Sequence, residues 1–220
     1  MHILFIAATL FESELLIQQY PFAKNENCYT AKVNNHRIDL LLTGVGIVNT
    51  TYFLQQYLIT NKPEMVIQYG IAGVHPHFCA LGNCFAITHE IFADIGVFEN
   101  GNYKNLEELN LSSSNISLVN HSVLQLLIPE IKTAKARTVS LIESDSIRLL
   151  ILNKKYNVDV ESMEGAAFHF VMAHTKIPYL QIRAASNFIG ERDKTNWEMK
   201  LAVDNINELV LKIIDETILK

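Results

Sequence analysis

Apolar residues fall along this chain in short dense runs set between longer stretches of mixed pattern. Ile3 to Ala8 is almost wholly apolar, and a run that short and dense reads as a strand buried on both faces. Met65 to Tyr69, Cys84 to Ile91, Ala134 to Leu141 and Pro178 to Ala184 read as further strands, and Val158 to Val160 as the end of a short one. Cys28 to Val33 and Arg37 to Thr43 make a pair joined by a tight turn at Asn34-Asn35. Helical patterns fill the intervals: Leu15 to Tyr20, closed by Pro21; Val48 to Leu58; Val119 to Ile128; Ile147 to Asn153; Ala166 to Ala173; and Trp197 to Leu219. Residues 99–117 are polar, rich in Asn and Ser and irregular, the pattern of a surface excursion or lid. Strands alternate with helices throughout. That predicts one α/β domain over residues 1–220 with a mixed, mostly parallel sheet.

Composition narrows the class of partner. At 220 residues the chain can bury one sizeable core. A net charge of −5 without a basic block points away from nucleic acid and from acidic membrane surfaces. The three cysteines, Cys28, Cys79 and Cys84, are odd in number and form no CxxC, as in a reduced, cytoplasmic protein. The apolar start is short, has no basic residue before it and is followed by Glu12 and Glu14, so it reads as a strand and not a signal peptide. No run is long enough to cross a bilayer. His75, His77, Cys79 and Cys84 cluster in sequence, but their spacing matches no standard zinc set, and no metal is expected.

Chemistry concentrates at Val160 to Ala167, where Glu161 and Glu164 interrupt a run that otherwise reads as buried. Glu164 falls in the first turn of the following helix, where the dipole favours an anion. It is either a dipole partner at a solvated end or a carboxylate that grips a pair of hydroxyls such as a ribose diol. Gly165-Ala166-Ala167 lets another backbone or a ligand approach closely, which favours the second. Glu12 has two readings as well. It completes a capping box with Thr9, or it serves the ligand-binding edge at the carboxyl end of the first strand. Gly44-Val45-Gly46 and Gly70-Ile71-Ala72-Gly73 form two small-residue loops at strand ends, where a flat ligand lies on backbone or a neighbouring chain comes close. The first lacks the third glycine of a dinucleotide fingerprint.

In this order, Glu12, Gly44-Val45-Gly46, Tyr69 to Gly73, Ser162 to Ala167 and Arg183 to Asn187 resemble the nucleoside phosphorylase and nucleosidase superfamily over nearly the whole chain. Glu161 to Ala167, together with Asn187 to Asp193 and Trp197, looks most like its futalosine hydrolase family. The resemblance implies a single-domain three-layer sandwich around the sheet. It implies hydrolysis of the N-glycosidic bond of futalosine in menaquinone biosynthesis, with release of hypoxanthine and dehypoxanthinylfutalosine. The alternatives are a methylthioadenosine, adenosylhomocysteine or aminofutalosine nucleosidase, or a purine nucleoside phosphorylase. No cofactor is implied, and relatives are homodimers or larger homo-oligomers.

The resemblance also assigns roles. Glu12 matches the water-activating residue, Met163 and Glu164 the ribose-binding pair, Arg183 a buried arginine that orients either carboxylate, and Asn187 the base contact. Ser162, Ile71, Ala72, Gly73 and Ser186 fall in the substrate pocket, with Ile71, Phe92 and the lid as candidates for the 5′ substituent. Trp197 matches an aromatic beside the base, against the plainer reading of a core anchor for the last helix. Two departures carry weight. Gln68 and Ile71 stand where hexameric phosphorylases have an arginine and a serine, so a phosphate would lack its cationic clamp. Asn187 stands where the methylthioadenosine nucleosidases have an aspartate; its amide donors suit N7 and O6 of a 6-oxopurine, and so hypoxanthine.

Overall fold

The structure, a computed structural model, describes residues 1–111, 117–119 and 128–218. Strand β1 (His2–Ala7) lies inside the sheet, parallel to β4 (His36–Leu42) on one side and to β5 (Met65–Val74) on the other. Its near-continuous apolar run follows from that position. Ile3, Phe5 and Ala7 enter one core cluster and Leu4 and Ile6 the other, so both faces are covered. Beyond β4 the predicted hairpin brings β3 (Cys28–Val33) and then β2 (Ala23–Asn25) to the edge, antiparallel. Asn34 makes its turn at a φ of 54°, a conformation Asn tolerates well.

On the other side β5 pairs in parallel with β12 (Tyr179–Phe188). The order continues through β6 (Cys84–Phe92) and β10 (Thr133–Thr138) to β11 (Val160–Ser162). Strand β11 then pairs back onto β5, Val160 with Val74 and Glu161 with Gly73. Five strands thus close into a ring, a barrel-like closure that the expected three-layer sandwich did not include. The length of β5 is the cause. Met65 to Gln68 pair with β1, and the strand runs on past them, leaving Gly73 and Val74 an edge for β11 to close. Gly70 to Gly73, expected as a loop, lie within that strand. The described pairings of the large sheet divide evenly, five parallel and five antiparallel, so the sheet is mixed but not mostly parallel.

Helices cover both faces of the β1 region. Helices α1 (Glu14–Gln19) and α5 (Met199–Ile218) flank the cluster holding Phe5, Ile67, Tyr69, Ile182, Ile206 and Ile213. Helices α2 (Ile47–Thr60) and α4 (Gly165–Ala173) pack on each other around Leu4, Ile6, Leu54 and Phe168. Asp145 caps α3 (Ser146–Tyr156), its carboxylate accepting from the backbone of Ile147 and Arg148. Helix α5 begins two residues after Trp197, which stands in the connection before it.

The predicted excursion starts as a hairpin of β7 (Gly96–Glu99) and β8 (Asn102–Asn105), held to α3 where Lys155 Nζ donates to Tyr103 O at 3.1 Å. Ser117–Val119 form β9, antiparallel to β6. Residues 112–116 and most of the helix expected at 119–128 lie outside the described residues. The rings of His75 and His77 stack at 5.5 Å, and all three cysteines are free. Among the described residues no cluster of three His, Cys, Asp or Glu is placed to hold a metal ion, and no helix is long and apolar enough to cross a membrane.

Candidate active site

Strand β1 ends at Ala7, and a single 3-10 turn (Phe11–Ser13) then turns Glu12 inward, where it is 5% exposed. Its carboxylate accepts from Thr9 N at 3.0 Å, Thr9 Oγ1 at 2.9 Å and Ile71 N at 3.1 Å. This is half a capping box: the Thr9 hydroxyl donates to Glu12 and caps no backbone N–H. Burial, and then the nearby Glu164 carboxylate, push Glu12 above the usual carboxylate range, against the opposing pull of Arg183, the Ile71 N–H and Thr9.

Glu164 is the N-cap residue of α4, one position ahead of the expected first turn. It does not cap with its side chain. The carboxylate reaches across to Gly46 N at 3.1 Å and pairs with Arg183 Nη2 at 3.6 Å. The Gly44-Val45-Gly46 turn therefore brings its backbone against a protein carboxylate. Arg183 is 1% exposed on β12 and also donates to Gln68 Oε1 at 3.2 Å. Arg183 faces Gly70 in the sheet register, and that position needs a glycine. A Cβ there would stand 2.6 Å from Glu12 Oε1 and 2.8 Å from Arg183 Nη1. The glycine is the space in which the two side chains meet.

Gly165 answers a different need. A Cβ on it would collide with Glu90 Oε1 and stand 2.5 Å from Gln181 Nε2. Glu90 is fully buried and pushed up to about 7, mainly by that burial. It accepts from Gln181 Nε2 and Thr138 Oγ1, both at 3.0 Å, and the Thr138 hydroxyl in turn accepts from Ala166 N at 2.8 Å. This network holds the start of α4, directly after Met163 and Glu164. Gly165→Ala should destabilise the fold by about 1–3 kcal/mol or more, as overpacking does in a filled core. An unchanged midpoint in chemical denaturation would show that the network yields without cost.

The remaining residues gather where β5, β11 and β12 end. Asn187 Oδ1 accepts from Ser186 Oγ at 2.8 Å, and its Nδ2 donates to Phe188 O at 3.0 Å. The side chain is thus held with its amide nitrogen fixed and one N–H unspent, where the sequence reading counted two. Trp197 Nε1 donates to Glu191 O at 3.2 Å, and the guanidinium of Arg192 lies 5.5 Å from its ring. Glu161 is held by Arg137, whose Nε and Nη2 both lie 2.7 Å from Oε2.

These groups surround a cavity of about 420 Å³. Glu12, Ile71, Ala72, Gly73, Ser162, Met163, Glu164, Ser186 and Trp197 line it, as read from the sequence. Asn187 lines an adjoining recess that shares Gly73, Glu161, Ser162, Met163 and Trp197 with the main cavity. Arg183 lies behind the wall and lines neither, and Phe92 packs against Phe170 away from both. None of the described residues of the expected lid lines either space. Three carboxylates, Glu12, Glu161 and Glu164, face the main cavity, with no Lys, Arg or His among its described lining residues.

The family model of the phosphorylase superfamily matches residues 2–218. The chain belongs to that superfamily. A futalosine hydrolase of Thermus thermophilus is 28% identical over 186 residues, 80% of each chain. A 5′-methylthioadenosine/S-adenosylhomocysteine nucleosidase of Glaesserella parasuis is 25% identical over 197 residues, 85% of this chain and 84% of that one. Among solved structures, the native futalosine hydrolase of Helicobacter pylori superposes with a TM-score of 0.83 at 15% identity, covering 98% of this chain and 97% of the other.

Within this member of the superfamily the sequence reading missed part of the wall. Phe11 from the 3-10 turn, Val45 and Ile142 from connections and Met199 from the start of α5 also line the cavity. Nothing in the neighbourhood of Ile142 or Met199 marks either as a wall position. Phe11 and Val45 carry a retrospective signal: each is about half exposed, and each sits beside a residue already singled out.

Proposed function

We propose that the protein is a nucleosidase that hydrolyses the N-glycosidic bond of futalosine, releasing hypoxanthine and dehypoxanthinylfutalosine. The observation that carries this reading is a cavity lined by Glu12, Glu161 and Glu164 with no Lys, Arg or His among its described lining residues. Arg137 and Arg183 are engaged with Glu161 and Glu164, so a phosphate dianion entering the cavity would find no free donor fork, whereas neutral water needs none. Hydrolysis is therefore favoured over phosphorolysis.

The chemistry follows from the side chains. As the bond breaks, positive charge grows at the anomeric carbon and negative charge on the departing purine. Glu164 and Met163 hold the ribosyl group, with the Glu164 carboxylate accepting from the 2′- and 3′-hydroxyls. Glu12, raised by burial, is a stronger base than a surface carboxylate and takes the proton of the attacking water. Arg183 balances the charge of both carboxylates from behind. The unspent N–H of Asn187 meets the departing base at N7 or O6, and Trp197 covers its face. No cofactor enters this scheme.

The second reading is cleavage of an adenine nucleoside such as methylthioadenosine or aminofutalosine, favoured by the 25% identity to a methylthioadenosine/adenosylhomocysteine nucleosidase. One experiment separates these readings. The purified protein is incubated with futalosine, aminofutalosine, inosine and methylthioadenosine, with and without phosphate, and the released base is identified. Hypoxanthine from futalosine without phosphate is the expected result. Adenine release at a higher kcat/KM would replace the first reading by the second, and a strict phosphate requirement would sink both.

Gly70 supplies a further prediction. Gly70→Ala should lose some stability, because φ is 158° there, but the atoms a methyl group would displace end flexible side chains and can give way. It should nevertheless move Glu12 relative to the sugar, and misplacement of about 1 Å costs on the order of a hundredfold in rate. The expected outcome is a kcat loss far larger than any change in KM.

A further inference from the structure

Glu161, Gly73 and Asn187 lie in one row across three neighbouring strands, Glu161 opposite Gly73 and Gly73 opposite Asn187. Residues directly opposite in a sheet present their side chains on the same face. The middle residue has no side chain, and the Asn187 amide nitrogen and Ile189 Cγ1 each lie 3.4 Å from where its Cβ would stand. The backbones of Glu161 and Asn187 are two strand spacings, roughly 10 Å, apart. Glu161, Gly73 and Asn187 all line one recess, with Trp197 alongside.

The bland explanation of Glu161 is that it neutralises the fully buried Arg137. The geometry asks more of it. A carboxylate serving only as a counterion to arginine meets the guanidinium fork with both oxygens. Here Nε and Nη2 converge on the single oxygen Oε2. Oε1 accepts no hydrogen bond from the described residues, although the residue is only 8% exposed. An open carboxylate oxygen that receives no donor from the described residues, at the wall of a recess, is free to accept one from a ligand.

We propose that Glu161 is a specificity-determining residue whose free carboxylate oxygen accepts the N1–H of a 6-oxopurine base. This rests on the nucleosidase reading above and deepens it by naming the contact that selects the base. A lactam such as hypoxanthine carries N1–H as a donor beside its O6 acceptor. Asn187 supplies a donor and Glu161 an acceptor, the complement of that edge. Adenine reverses the edge: its N1 is a lone pair that would face a carboxylate, with its amino group directed toward the amide donor. Rejection of adenine thus arises from like partners in a buried place as well as from the loss of a bond.

The test uses product inhibition. Hypoxanthine, 1-methylhypoxanthine and adenine are compared as inhibitors of futalosine cleavage by the wild-type protein and by Glu161→Gln. Wild type should bind hypoxanthine at least about tenfold more tightly than either of the others, the scale of a hydrogen bond to a charged group. In Glu161→Gln, Arg137 holds the amide oxygen, and the NH2 group then faces the recess. The hypoxanthine-to-adenine preference should therefore fall by about tenfold or more, and a purely structural role for Glu161 would leave that ratio unmoved. If the variant does not fold, the wild-type series still decides. Equal inhibition by hypoxanthine and 1-methylhypoxanthine would overturn the assignment while futalosine cleavage itself stood. A wild-type protein that released no hypoxanthine from futalosine would instead overturn the underlying reading.

Discussion

Glu12→Gln should lose about 10² to 10⁴ in kcat, the usual contribution of a positioned general base. The amide cannot take the proton of an attacking water. It keeps the size of the side chain and one of its two acceptors, so the loss should fall on kcat more than on KM. The pH profile supplies a second readout with a definite sign. A base acts when deprotonated, and burial beside Glu164 raises Glu12 above the usual carboxylate value of 4.5. Wild-type activity should accordingly fall on the acid side at a pH clearly above 4.5, where a solvated glutamate would still be ionised. An acid limb at or below the ordinary carboxylate value would mean that Glu12 is not the titrating base. A Glu12→Gln protein within a few-fold of wild type would reduce Glu12 to its contacts with Thr9 and Ile71.

Asn187→Asp should lower kcat/KM for futalosine by about a hundredfold at neutral pH, the typical loss on removing one donor aimed at developing charge. The surroundings explain why the substitution is not neutral. Ser186 Oγ already donates to Oδ1, so an aspartate keeps that bond. The other oxygen would face Phe188 O, an acceptor against an acceptor, which favours the protonated acid. Lowering the pH should restore at most part of the lost rate, because the acid form carries a single proton for which the base competes with Phe188 O. The preference for futalosine over aminofutalosine should narrow at the same time, since a protonated aspartate donates to N7 and also accepts from a 6-amino group. An equal loss on both substrates with no recovery in acid would mark Asn187 as structural. This variant and Glu161→Gln act on different groups of the base, and comparing them separates donor loss from acceptor loss.

Much of the candidate site was legible in the sequence because its chemistry sits on contiguous residues. Ser162, Met163 and Glu164 follow one another, as do Ile71, Ala72 and Gly73, and each set reaches the cavity together because a strand end carries it there. Arg137 was not legible. It lies in an alternating strand with nothing nearby to mark it, and its relation to Glu161 comes from a pairing between strands 24 residues apart. Glu90 was hidden for the same reason: a polar residue ending an apolar strand reads as a solvated end until Gly165 and Gln181 are packed against it.

By itself the sequence determined most of the order of strands and helices, the short strands β2, β7, β8 and β9 excepted, and hence the α/β class. Apolar periodicity is a local property, and Ile3 to Ala8 or Val48 to Leu58 carry it whatever they later pack against. The roles proposed for Glu12, Glu164 and Asn187 came from a resemblance carried by short contiguous motifs. The tertiary structure alone decided how the sheet ends. Closure depends on β5 outrunning β1 by enough residues to pair with β11, and no local pattern encodes a partner's length. It likewise decided what the glycines are for. Gly70 makes room for Glu12 and Arg183, and Gly165 for Glu90, all of them distant in the chain. Whether a missing side chain serves a turn, a ligand or another residue is settled by the atoms that occupy the vacated volume, and folding brings those atoms from elsewhere.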